Sequence, residues 1–220
     1  NIGITAGIET NQVPHTFIEG CNRMDLIITT SEHSKIGLAE TTYDRINEKT
    51  KQKEGELKLE TPIEVLFEGL DLDKFFKTNE LDKSIVDELS QIKEKSCYLF
   101  VGHWIKGSLG QDRKDVGMMI KTFCETFKNV ATHNKPALIL KTSGAGFSIT
   151  ERESILAKIR NVKNSITDGT CPKVYLLHGD LTTEEMNGLY NHPKIKAMIS
   201  FTKGEGFGRP LLEFSLSKKP

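Results

Sequence analysis

At 220 residues, with thirty basic and thirty acidic side chains that cancel, the chain is long enough for one large domain or two modest ones and carries no overall electrostatic footprint for nucleic acid. No apolar run approaches the ~20 residues of a membrane span, and the start, Asn1-Ile-Gly-Ile-Thr-Ala-Gly7, lacks the basic head and long apolar core of a signal peptide. Cys21, Cys97, Cys124 and Cys171 are widely spaced with no Cys-x-x-Cys, which argues against a zinc site or a redox pair; reduced thiols and a cytoplasmic setting are expected.

Short apolar runs alternate with amphipathic ones, the pattern of a layered α/β fold with parallel strands. The first strand is expected at 2–5; Glu9 and Pro14 follow it, where a capping or turn role outweighs a place in an acceptor cleft. A second strand is expected at 26–29. Residues 48–62 are rich in Lys, Glu, Thr and Gln and read as an exposed connection, ahead of a third strand at 63–67. Asp71-Leu-Asp73 reads as a turn with local hydrogen bonds. A polar helix at 81–95 precedes the strong apolar strand at 98–102. We place the boundary between two Rossmann-like units there: 1–77 forms one, 78–95 connects, and 96–220 forms the other.

The clearest helix is expected at 113–133, where Val116, Met119, Ile120, Phe123, Phe127 and Val130 recur at three- and four-residue steps. Strands are expected at 137–141, 173–177 and 197–201. Thr150 with Glu153 reads as a capping box for a helix running to about Ser165, and Thr182 or Thr183 caps another that carries Met186, Leu189 and Tyr190. Three strands before the boundary and four after it make two incomplete sheets, so the chain reads as the middle of a larger protein. Their exposed edges invite pairing with a second copy.

The most informative stretch is Glu205-Gly-Phe-Gly-Arg-Pro-Leu-Leu-Glu213, two carboxylates eight residues apart around a glycine turn and a proline. Pro210 suits the first turn of a helix, where its missing N–H costs nothing. Glycines let a backbone approach a ligand closely, and a helix N-terminus favours an anion. Carboxylates in that setting suit sugar hydroxyls better than phosphate. The competing reading is a surface turn followed by a helix with a first-turn acid.

Four further pieces agree with the signature in order. The stretch Thr202 to Glu213, ending in Lys219-Pro220, resembles the donor-site signature of the retaining GT-B glycosyltransferases of family 4 (glycosyltransferase group 1). Val65-Leu-Phe-Glu-Gly-Leu-Asp-Leu-Asp-Lys-Phe75 is similar to the segment that closes that family's N-terminal domain. Leu99-Phe-Val-Gly102 followed by Arg113-Lys114 resembles the first strand and basic loop of its nucleotide-binding domain. Val174-Tyr-Leu-Leu-His-Gly179, with Leu181, Glu185 and Leu189-Tyr190, is similar to the strand and helix that flank the base. Met24-Asp-Leu-Ile-Ile-Thr-Thr-Ser31 and Lys35 resemble an upstream strand and helix.

The resemblance implies a two-domain GT-B enzyme that moves a sugar from a nucleotide-diphosphate-sugar to a glycan or lipid-linked glycan with retention, as in polysaccharide biosynthesis. It implies that the acceptor is held mainly by an N-terminal part missing from this sequence. It also implies that Glu205 accepts bonds from donor-sugar hydroxyls, with the amides of Gly206, Phe207, Gly208 and Arg209 near the sugar and distal phosphate. Glu213 would hold the ribose diol, and Arg113 and Lys114 the diphosphate. Gly179 and Leu181 would meet the base, with Tyr190 nearby.

Where the family often carries an arginine after the first-strand glycine, Gly102 is followed here by His103 and Trp104. Either Arg113 supplies that charge or His103 takes a weaker, pH-dependent share. No metal or other cofactor is expected, because fixed cations can stabilise the departing diphosphate. The full-length enzyme would be compatible with peripheral membrane association. A non-catalytic GT-B nucleotide-binding or scaffold domain is the alternative, and a sugar-nucleotide epimerase a third reading.

Overall fold

The computed structural model describes residues 1–6, 11–105, 109–144 and 146–220, so Glu9 lies outside the described residues. The chain forms two compact units, one of residues 1–69 with 204–208 and one of residues 70–203 with 209–220.

The first unit contains β1 (Ile2–Thr5), α1 (His15–Cys21), β2 (Leu26–Thr29), α2 (Glu32–Glu40), β3 (Tyr43–Ile46), β4 (Lys53–Leu57) and β5 (Ile63–Val65). A parallel sheet runs in the order β1-β2-β5, with Ile2 opposite Leu26 and Ile27 opposite Ile63. Its core gathers Val13, Ile18, Cys21, Ile27, Leu38 and Leu57. Residues 48–62 depart from the expected plain connection, because β4 pairs antiparallel with β3, Tyr43 opposite Leu57. Leu57 is the one buried side chain of β4, and Lys53 pairs with Asp44 (2.6 Å) and Glu56 (2.9 Å) on an exposed surface. A hairpin held by cross-strand charges and a single apolar anchor has no apolar alternation to betray it.

The second unit contains α3 (Lys83–Ser90), β6 (Cys97–His103), α4 (Val116–Phe127), β7 (Ala137–Ser143), α5 (Ile149–Asn164), β8 (Val174–Leu177), α6 (Thr183–Asn191), β9 (Ile195–Met198) and α7 (Arg209–Ser215). Its four strands are parallel in the order β8-β7-β6-β9. Side chains alternate between two cores, which explains why the strands read as unbroken apolar runs. Cys97, Leu99, Ala137 and Ile139 meet α3, α6 and α7 through Leu89, Tyr190 and Phe214. Phe100, Leu138 and Leu140 meet α4 and α5 through Met119, Ile120, Phe123 and Ile155. Each fully buried side chain of this size stabilises the fold by about 1.5–3 kcal/mol.

From β6 the chain winds outward to β7 and β8, then returns to place β9 on the other side of β6. That reversal opens a crevice at the C-terminal ends of the strands, the usual ligand position in open α/β sheets.

Several boundaries differ from the sequence expectation. Residues 78–95 are not a free connection, since Ile85, Leu89 and Ile92 sit in the second unit's core, and residues 70–77, expected in the first unit, join the second through Phe75. Ser148 rather than Thr150 caps α5, its hydroxyl accepting the Glu151 N–H (3.1 Å); the same Ser/Thr-x-x-Glu spacing occurs twice, two residues apart. Thr182 caps α6 in a reciprocal box with Glu185. Strand β9 lies at 195–198 rather than 197–201, because its register is set by Ile195 opposite Cys97.

Acid should loosen the second unit. His192 is buried, and its Nδ1 accepts the Lys194 N–H (3.2 Å), which requires that nitrogen to be unprotonated. Burial, then Lys194 and Lys219, lowers its pKa below the usual 6.5. The unfolded chain therefore binds the proton first, and stability is full above pH 6.5 and falls as pH drops toward the lower folded value. Urea midpoints across this window should fall for the wild type more than for His192→Asn; equal slopes would contradict the assignment.

Candidate functional site

A cavity of about 400 Å³ lies in the second unit at the C-terminal ends of three neighbouring strands. β6 contributes Gly102 and His103, β7 contributes Lys141, Thr142 and Ser143, and the turn after β8 contributes Asp180 and Leu181. Neighbouring strands are spaced by about 4.8 Å, so the three ends make a wall roughly 10 Å wide. Arg113 and Lys114, from the loop before α4, close the β6 side, and Pro210, in the first turn of α7, joins them.

Local backbone geometry sets these positions. Asp115 begins α4 with φ 50°, and its N–H donates to Asp112 O (3.1 Å), which closes the turn that presents Arg113 and Lys114. The Lys203 N–H donates to Arg113 O (3.0 Å) and ties that turn to the chain leaving β9. At Gly102, with φ 157°, a Cβ would meet the Phe100 ring at 3.0 Å and Lys114 Cε at 3.7 Å. The tight approach is to the Phe100 ring, and the lysine stem lies at ordinary contact distance. His103 Nδ1 lies 3.2 Å from Ser143 Oγ, on the adjacent strand end.

Lys141 is a residue that sequence reasoning missed. Its Nζ donates to Gly179 O (2.6 Å) and lies 5.5 Å from the centre of the Phe147 ring. Half-burial lowers its pKa, and the charge of Asp180 works against that shift. The available signal was a charged residue at the end of an otherwise apolar strand, Ala137-Leu-Ile-Leu-Lys141. Gly179 itself holds φ 126°, a conformation that favours glycine.

Within the same unit, α7 carries Glu213 as a buried carboxylate. Its Oε1 accepts from Arg209 Nε (2.9 Å) and its Oε2 from the Tyr190 hydroxyl (2.9 Å). Tyr190, expected beside a base, is instead fully enclosed and acts on Glu213. Burial and the adjacent Glu213 push its phenol far above the ordinary value, so it stays a donor.

The glycine turn belongs to the first unit. There Gly206 O accepts from Thr30 Oγ1 (3.4 Å), and a Cβ on Gly206 would stand 3.0 Å from Ala6 O. The Phe207 ring packs edge-on against Phe67 at 5.2 Å, Gly208 takes φ 79°, and Glu205 is half-buried. Of the residues singled out from sequence, Gly102, His103, Arg113, Lys114 and Leu181 line one cavity, and Gly179 borders it through Lys141. Among the described residues there is no cluster of three or more metal-ligating side chains and no helix long and apolar enough to cross a membrane.

No protein-family model and no curated protein sequence matches the chain. Solved structures do. The chain is similar to the trehalose-6-phosphate synthase OtsA, at 13% identity and a TM-score of 0.60 over 92% of this chain and 44% of that one. It is similar to Anabaena Alr3699/HepE in complex with UDP and glucose, at 13% identity and a TM-score of 0.59 over 100% of this chain and 51% of that one. The UDP-forming α,α-trehalose-phosphate synthase from Burkholderia xenovorans, in complex with glucose-6-phosphate, matches at 10% identity and a TM-score of 0.61 over 92% and 46%. The chain therefore has the α/β, parallel-sheet fold of about half of a GT-B enzyme, and spans about half the length of the structures it matches.

Proposed function

We propose that this chain carries the nucleotide-sugar donor site of a retaining GT-B glycosyltransferase of the family 4 type. The observation that supports the reading best is the cavity itself. It gathers Gly102, His103, Arg113, Lys114 and Leu181, residues far apart in sequence and singled out there for one ligand, at the strand ends where this fold binds ligands. The complexes of similar folds with UDP and glucose agree with that ligand class.

In this reading Arg113 and Lys114 hold the diphosphate, Gly179 and Leu181 border the base, and Glu213 takes the ribose diol, one carboxylate serving two hydroxyls. Glu205 accepts from donor-sugar hydroxyls, with the Gly206–Arg209 backbone around the sugar. Tyr190 and Arg209 orient Glu213 rather than touching the nucleotide. His103, tied to Ser143, leaves Arg113 as the cation that stands in for the family arginine. The reaction breaks the bond between the anomeric carbon and the diphosphate oxygen, and an acceptor hydroxyl adds to that carbon on the same face while its proton passes to the departing diphosphate oxygen. Charge builds on the departing diphosphate, where Arg113 and Lys114 stabilise it without having to reorganise.

A non-catalytic binding module would share the binding residues and differ at turnover. The discriminating experiment incubates the protein with a panel of nucleotide-sugars, with and without simple sugar acceptors, and follows nucleotide release. Release that depends on Lys114 supports transfer. Tight nucleotide binding with no release from any donor supports the binding module.

A further inference from the structure

Resting on the nucleotide-sugar reading, we propose that the β7–β8 end of the cavity selects a nucleobase that presents a carbonyl oxygen beside a ring N–H. Lys141 is the donor to the carbonyl, and Asp180 the acceptor from the N–H. Guanine (O6 with N1–H) and uracil (O4 with N3–H) carry that edge; adenine and cytosine carry an amino group beside an unprotonated ring nitrogen.

The cavity is electrically uneven. Arg113 and Lys114 stand at its β6 side, whereas its β7–β8 side holds one cation and one carboxylate, Lys141 and Asp180. A carboxylate repels phosphate, so this corner is a poor second phosphate site and a good match for a neutral, polar edge. Leu181, Met186 and the Phe147 ring supply apolar surface around it, as a flat base requires.

Both polar groups are held in place. Gly179 O takes one of the three Lys141 ammonium hydrogens and the Phe147 ring lies against the same nitrogen, which restricts where the remaining hydrogens aim. Asp180 Oδ1 accepts the Leu181 N–H (3.1 Å), which fixes the plane of the carboxylate and offers Oδ2 to a ligand. A carbonyl-and-N–H edge satisfies both groups at once. An amino base sets its N–H₂ against the ammonium and its bare nitrogen against the carboxylate, so the half-buried Lys141 loses a partner and Asp180 faces a lone pair.

Calorimetric titration of the protein with UDP, GDP, CDP and ADP tests this. UDP or GDP should bind about 10- to 100-fold more tightly than both CDP and ADP, the cost of one mismatched base edge. The comparison of UDP with GDP then identifies whether the base is a pyrimidine or a purine. In Asp180→Asn, whose amide can turn either face to the base, the preference should shrink to about 3-fold or less, with the melting temperature unchanged because the side chain is exposed. CDP or ADP binding as tightly as UDP and GDP, or an undiminished preference in Asp180→Asn, would overturn the inference while leaving nucleotide binding intact. Binding of none of the four would overturn both this inference and the reading it rests on.

Discussion

Glu213→Ala should weaken nucleoside diphosphate binding by about 10- to 100-fold, the loss of two hydrogen bonds to a charged acceptor. It should also lower stability by about 1–3 kcal/mol, because the fully buried Tyr190 hydroxyl loses its 2.9 Å partner. The two effects have different controls. Tyr190→Phe removes the hydroxyl and keeps the carboxylate, so it should reproduce part of the stability change and little of the binding loss. Glu213→Gln keeps the shape and one acceptor oxygen, and should fall between wild type and alanine in affinity. Calorimetry read beside urea unfolding separates the terms. A Glu213→Ala protein that is destabilised yet binds nucleotide as well as wild type would reduce Glu213 to a structural anchor.

The second large effect belongs to turnover. Lys114→Ala should slow nucleotide release from the preferred donor by about 10²- to 10³-fold, the range seen when one preorganised charge-stabilising group is lost. Donor affinity should change less, because Arg113 stays beside the ground-state diphosphate and only the departing one carries the extra charge. Lys114→Arg keeps the cation and should recover much of the rate. A loss of donor affinity with the saturated rate unchanged would mean that Lys114 binds substrate and transition state alike.

Much of the scaffold is legible in the sequence for one physical reason. A strand buried on both faces must be apolar throughout, so β6 and β7 announce themselves, and the stripe of Met119, Ile120 and Phe123 marks α4 as the helix that covers them. The β3–β4 hairpin is hidden because only Leu57 of β4 is buried, and Lys53, Glu54, Gly55 and Glu56 resemble a solvated loop. Residues 78–95 mislead for the opposite reason. Their composition is polar, but Ile85, Leu89 and Ile92 turn inward and join Leu189, Tyr190 and Phe214 in covering one face of the sheet.

The candidate site divides along the same line. Arg113, Lys114 and Glu213 stand in contiguous motifs that reading along the chain singles out. Lys141 and Asp180 lie thirty-nine positions apart, and only the β7–β8 pairing makes them neighbours on one wall. Tyr190 stands in a motif that implies a place near the base, and its buried hydroxyl donates to Glu213.

The most direct test of nucleotide binding at the strand ends is a map of amide shifts in the labelled protein as UDP or GDP is added. The largest changes should fall on Gly102, Lys114, Lys141 and Leu181, which share the 400 Å³ cavity. Shifts centred instead on the smaller cavity beside α3, lined by Glu88, Gln91 and Tyr175, or no shifts at all, would contradict the assignment.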